Sequence, residues 1–238
     1  AVLLDLSPRL DSVQRAMVDG ILETTFPGSS WTWEWLSRGG GRVDRLSVWV
    51  GSLSSDSPNR CIRVGRKRVI SIIEGRGSGA NITSFGSVME IPRGAYLTVV
   101  DPVLIESGLQ SSWHSKAIAS GTGSSWVRTE GRRPLLIHTD EISDDDDVRG
   151  FVVATGKIVQ HRLTPPELNT IDQVASSVAR KGISNITLRC NLDPEIHPTL
   201  QRRITRELKG SDGTKGFMVD MEIERPNGAQ KLYIVCKE

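Results

Sequence analysis

Long apolar runs are missing from this chain. Its strand-like stretches, such as residues 96–100, end after a few positions, far short of the roughly 20 needed to cross a bilayer. No basic segment followed by an apolar one opens it, so no secretory signal is expected. Cysteine is scarce. Cys61, Cys190 and Cys236 are odd in number and far apart, which argues against a disulfide framework and against a close-spaced zinc site. A reducing, cytoplasmic or intracellular setting follows as the expectation. His114, His138, His161 and His197 show no ligand spacing on one helix. Gly75-Arg76-Gly77-Ser78-Gly79 fits neither the P-loop nor the dinucleotide-binding fingerprint, so it reads as a plain loop. Asp144 to Asp147 lack the spaced oxygens and glycine of a calcium loop and read as a solvated linker. No metal and no cofactor is expected from these patterns.

What is present is a polar chain of 238 residues with arginine in excess. Arginine outnumbers lysine 22 to 8. Residues 1–135 carry 16 cations and 12 acids, whereas 136–238 carry 14 and 16. Between 60 and 76, Arg60, Arg63, Arg66, Lys67, Arg68 and Arg76 face only Glu74. A guanidinium presents a planar fork of donors that suits phosphate and carboxylate.

Hydrophobic periodicity divides the chain into elements. Leu10, Val13, Met17, Ile21 and Leu22 predict a helix over 10–22, ended by Pro27-Gly28. Strands are predicted at 31–36, 43–50, 60–64, 68–73, 95–100 and 134–138, with a Ser/Gly-rich loop over 107–125. A strand at 150–154 leads to Thr164, a helix cap followed by Pro165, with Leu168, Ile171, Val174 and Val178 on one face. After a strand at 185–190, Asp193 caps a second helix bearing Ile196, Leu200, Ile204 and Leu208. Phe217, Val219, Met221 and Ile223 alternate, Asn227-Gly228 marks a hairpin, and 230–236 return. Both helices are expected to bury on the face formed by those four residues. The fold class expected is α+β. A β-rich domain with an N-terminal helix, sandwich or barrel-like, occupies 1–140, and a small β-α-β-α-β-β domain occupies 148–238.

The basic stretch predicts binding of RNA or another polyanion by Arg60, Arg63, Arg66, Lys67, Arg68 and Arg76, in a viral-type structural or accessory protein. Trp31, Trp33 and Trp35 alternate on a strand, either as stacking platforms or as core. An assembly module that self-associates through the hairpin edge at 230–236 is the second reading.

A third reading comes from likeness. Ser52-Leu53-Ser54-Ser55, then Val69-Ile70-Ser71-Ile72-Ile73, then Glu90-Ile91-Pro92-Arg93-Gly94 running into 95–99, resembles the toxin-type ADP-ribosyltransferases. That resemblance implies NAD as the cofactor, Glu90 as catalytic carboxylate, Ser54 as the serine that positions NAD, and Arg38 as the nicotinamide-side arginine. Residues 148–153 with 163–168 resemble the C-terminal region of the cap-binding basic subunit of influenza-type polymerases.

Overall fold

The computed structural model describes residues 1–66, 68–77, 91, 94–162, 164–225 and 228–238. The fold is α+β and rich in strand. It is built as two sheets with six helices among the described residues.

The first sheet holds five strands, β1 (Val2–Leu6), β2 (Trp31–Ser37), β3 (Arg45–Val50), β4 (Asn59–Val64) and β5 (Val69–Gly75), in the order β1-β3-β2-β4-β5. Its β2 and β4 are parallel and the other neighbours antiparallel. Helix α1 (Ser12–Thr25) starts from a capping box. The Asp11 carboxylate accepts from the Gln14 N–H, and the Gln14 side chain accepts from the Asp11 N–H.

The expected apolar face of α1 is turned the other way. Val13, Met17 and Ile21 are exposed, and of the named face only Leu10 and Leu22 pack inward. The reason lies on β2. Buried indole N–H groups need an acceptor, and Asp19 Oδ1 receives both Trp31 Nε1 at 2.8 Å and Trp33 Nε1 at 2.9 Å. The helix therefore presents its Asp19 side to the sheet.

The second sheet holds β6 (Tyr96–Val100), β7 (Ser124–Arg128), β8 (Leu135–His138), β9 (Val152–Arg162), β10 (Ile183–Leu188), β11 (Thr214–Arg225) and β12 (Gly228–Lys237), in the order β10-β11-β12-β9-β6-β8-β7. Because β6 pairs with β9, this sheet runs through the seam expected at 140–148. It also curls. Arg128 on β7 donates to the Asp220 carbonyl on β11, and Arg133 donates to the Arg189 and Cys190 carbonyls just beyond β10. Guanidinium bridges thus join strands at opposite ends of the order around an interior of Leu97, Val99, Leu135, Ile137, Val219 and Ile234.

That interior corrects the packing expected for the C-terminal helices. Phe217, Val219, Met221 and Ile223 face it, not the helices. The helices α5 (Ile171–Ala179) and α6 (His197–Glu207) pack on the opposite face, over Ile183, Ile186 and Leu188 of β10 and Met218, Tyr233 and Val235. Sequence alternation alone does not say which neighbour each face meets. The first of these helices begins at Ile171, later than Thr164, and Leu168 is left exposed. Helix α6 also starts later than expected, after Ile196, which is exposed and makes no side-chain cap; Asp193 instead accepts the Glu195 N–H at 2.9 Å in the turn ahead of the helix. The β11–β12 ladder pairs Arg225 with Gly228, so Gly228 sits at the end of the ladder, with φ +107°. Asn227 lies outside the described residues.

The stretch 107–125 is not a loop. It contains all of α3 (Gln110–Ala117), which follows α2 (Val103–Glu106), and the start of β7. Its Ser content conceals three anchors, Leu109, Trp113 and Ala117, all buried between the two sheets. The acidic run forms the short α4 (Asp146–Arg149) and docks on the free edge of β5. Asp147 accepts the Ile72 N–H, and the Asp146 carbonyl accepts the Ser71 hydroxyl. An edge strand is thereby covered by a carboxylate. Among the described residues no helix is long and apolar enough to cross a membrane.

Candidate polyanion interface

Strand direction decides where the arginines meet. In the first sheet β1, β2 and β4 point the same way, so their C-terminal ends share one end of the sheet. The loops that follow them, 7–11, 38–44 and 65–68, gather there with Arg9, Arg38, Arg42, Arg66 and Arg68, all exposed. A fourth loop, 129–134, joins from the second sheet. Its Arg132 lines a groove of 540 Å³ together with Arg9, Arg42 and Asp44. By sequence these four loops carry seven arginines and Lys67 against Asp11, Asp44 and Glu130. Two of those acids are engaged. Asp11 caps α1, and Asp44 accepts the Arg38 N–H and lies 3.5 Å from Arg42 Nε. From β1 to β5 the arginine end spans four strand spacings, about 19 Å.

The residues expected from the basic stretch are divided by this arrangement. Arg66 and Arg68 stand at the arginine end, on the β4–β5 hairpin, where the Gly65 N–H donates to the Arg68 carbonyl at 2.8 Å. Lys67 lies outside the described residues. Arg60 is turned across the sheet. It forms an ion pair with Glu34 at 2.5 Å, reaches towards Glu74, and lies over the Trp49 ring at 5.8 Å. Arg63 donates to the Gly150 carbonyl and sits 3.9 Å from the buried Asp101 carboxylate. Its guanidinium occupies the space that a side chain at Gly39, φ +85°, would need. Asp101 also accepts the Ser37 hydroxyl at 2.6 Å, and burial raises its pKa above the ordinary carboxylate value. Both arginines therefore hold the sheet together. Arg76 is exposed but follows β5, at the opposite end.

Arg9, Arg42 and Arg132 carried no sequence signal as a cluster, being scattered over 124 positions. They do share one local trait. Each follows Pro or Gly in a turn, as Pro8-Arg9, Gly41-Arg42 and Gly131-Arg132.

The transferase residues are not gathered. Ser54 bonds Ser30 just before β2, whereas Arg38 follows its end. Eight extended steps separate the two ends, about 26 Å. Glu90 lies outside the described residues. Of the tryptophans, Trp33 and Trp35 are buried and belong to the core, with Trp31 beside them. The hairpin edge at 230–236 is no edge, because β12 is paired to β11 on one side and β9 on the other.

Among the described residues no group of three His, Cys, Asp or Glu side chains is placed to hold a metal. Cys61, Cys190 and Cys236 are buried free thiols, and burial pushes each well above the ordinary thiol pKa. A buried thiol held in its neutral form is a poor nucleophile.

His138 is also buried, and its partners fix its tautomer. Asp140 offers a carbonyl, so Nδ1 must donate. Nε2 then accepts from the Thr98 hydroxyl at 2.8 Å, and Thr98 in turn accepts from Thr155. Burial lowers the His138 pKa below 6.5. In that window the unfolded chain takes up a proton that the folded chain does not. Stability is therefore expected to fall as pH drops through 6.5 towards the folded-state pKa. Urea unfolding from about pH 7 to pH 5 should show a shallower loss for His138→Gln than for the wild type. An identical slope would show that His138 does not titrate differently on folding.

Set against protein-family models, curated proteins and solved structures, the chain matches none of them.

Proposed function

We propose that the protein binds RNA or another polyanion across the arginine end of its first sheet. The observation that carries this reading is the meeting of Arg9, Arg38, Arg42, Arg66, Arg68 and Arg132 from four separate loops, all exposed and facing few free acids. Exposed guanidinium groups spread over about 19 Å suit a run of backbone phosphates. Binding of this kind releases counterions and so weakens steeply with salt. It positions a strand without reading its sequence.

Fluorescence anisotropy with unrelated RNAs, between about 50 and 200 mM salt, tests this. Combined Arg42→Ala, Arg66→Ala and Arg132→Ala changes should weaken binding similarly for every RNA. They should also flatten the log–log salt slope by about 0.7–0.9 for each phosphate that the variant no longer neutralises. Arg76→Ala, at the far end of β5, should leave the slope unchanged. Wild-type protein without salt-sensitive RNA binding, or a triple variant that binds like wild type, would overturn the reading.

A further inference from the structure

Among the described residues, helix α1 turns an apolar face to solvent. Val13 is 68% exposed, Met17 66% and Ile21 63%, and the three stand one turn apart in a single row along the helix. The row beside it is small. Ala16, Gly20 and Thr24 are exposed too, and a side chain at Gly20 would meet nothing within 4 Å. Thr24 donates its hydroxyl to the Gly20 carbonyl at 2.9 Å, so that group is satisfied within the helix. None of these six residues is charged. Glu23 stands at one flank of the face and Gln14 at the other, both exposed. The solvent side of a helix is ordinarily polar, and a contiguous apolar patch marks an interaction surface. Glycine inside a helix is a poor helix former, and it suits a place where another backbone comes close.

We propose that this face pairs with its own copy, joining two chains through α1 in an antiparallel, two-fold dimer. What selects a second copy is the match of large to small. With the axis between Met17 and Gly20, Met17 of each chain meets Gly20 of the other, Ile21 meets Ala16, and Val13 meets Thr24. The large row of one helix then packs as a ridge into the groove along the small row of the other. Each contact occurs twice, as a two-fold axis requires. The flanks match as well. Gln14 of one copy stands opposite Glu23 of the other. Its Oε1 accepts the Asp11 N–H, which leaves its amide N–H groups to donate to that carboxylate. No cation belongs to this face, so it is separate from the arginine end, and the inference does not depend on the polyanion reading. Three large side chains per copy make a contact below about 1,200 Å² in total, the size of weak association, so the dimer forms as concentration rises.

Sedimentation velocity of the nuclease-treated full chain, from about 1 to about 500 µM, tests this. The mass should move from one chain towards two across that range. It should do so in about 0.5 M salt as well, because an apolar contact is not screened. Gly20→Gln gives the monomer a better helix former with open space around it, yet fills the groove. That variant and Met17→Lys should each weaken association at least about tenfold. Cross-linking reads the register. Met17→Cys protein mixed with Gly20→Cys protein under mild oxidation should give more disulfide-linked dimer than either oxidised alone, the native thiols being buried. A single chain at every concentration would overturn the proposal. So would a dimer that Gly20→Gln and Met17→Lys leave at wild-type strength, or Cys variants that each link to themselves in preference to one another. None of these outcomes bears on the arginine end, whose RNA binding is measured separately.

Discussion

Asp220→Ala is expected to destabilise the fold by about 3–5 kcal/mol, the range for removing one partner of a buried ion pair. Asp220 is 2% exposed and serves three groups. Its Oδ1 accepts the Asn191 N–H at 2.8 Å and lies 3.6 Å from Arg128 Nη1, while Oδ2 lies 3.3 Å from Lys231 Nζ. Burial lowers the Arg128 pKa, and the Asp220 charge is the main influence opposing that shift. Without the carboxylate, the guanidinium stays in its partly buried site without its counter-charge, and the Asn191 N–H is left without an acceptor. Most of the cost falls on Arg128, because Lys231 is better exposed and can turn to water. Asp220→Asn keeps an acceptor for Asn191 while removing the charge, so it should cost less. Urea midpoints of the two variants, at equal m-values, give the comparison. If Asp220→Ala lies within about 1 kcal/mol of wild type, the Asp220 carboxylate is not what keeps the buried Arg128 charge in place, and the bridges to backbone carbonyls hold without it.

Trp113→Ala should cost about 3–5 kcal/mol, as for a large aromatic removed from a core. Trp113 is fully buried at the meeting of the two sheets, in the cluster that joins Trp33, Trp35, Leu46 and Val48 to Val100, Trp126 and Leu136. Its ring packs at 6.2 Å and 53° against Trp126, and its Nε1 donates to the Val148 carbonyl at 3.1 Å. That bond ties α3 to α4, and α4 covers the edge of β5. The change therefore opens a cavity and cuts the link from α3 to the Val148 carbonyl, which keeps the Phe151 N–H at 3.2 Å. Trp113→Phe keeps most of the ring volume and removes the N–H, so about 1–2 kcal/mol is expected. A near-neutral Trp113→Ala in a urea melt would mean that the two sheets do not depend on this cluster.

Much of the local structure is legible in the sequence. Alternation over 31–35 and 217–223, with turn residues between, places those strands. The spacing of Leu200, Ile204 and Leu208 places α6, because periodicity depends only on near neighbours. The stretch 107–125 escapes such a reading because α3 takes few apolar anchors, among serines that read as loop. Helix α1 is legible as a helix, but its buried side is not. Two indole N–H groups on β2 need Asp19 more than the core needs Val13, Met17 and Ile21.

The candidate interface is legible only in kind. Arginine excess is a property of composition, and it points to polyanions. Which arginines stand free depends on partners far along the chain. Arg60 meets Glu34, and Arg63 meets Gly150 and Asp101, and no short-range pattern shows either pairing. By the same cause Arg9, Arg42 and Arg132 become neighbours only because parallel strands bring their loops to one end and the β7–β8 turn folds against them. Sequence by itself determined most of the elements and the sign of the charge. Tertiary structure decided which helix faces are covered, that one sheet spans residues 96–237, and where the charge gathers, because strand direction and long-range pairing are set by contacts between distant residues.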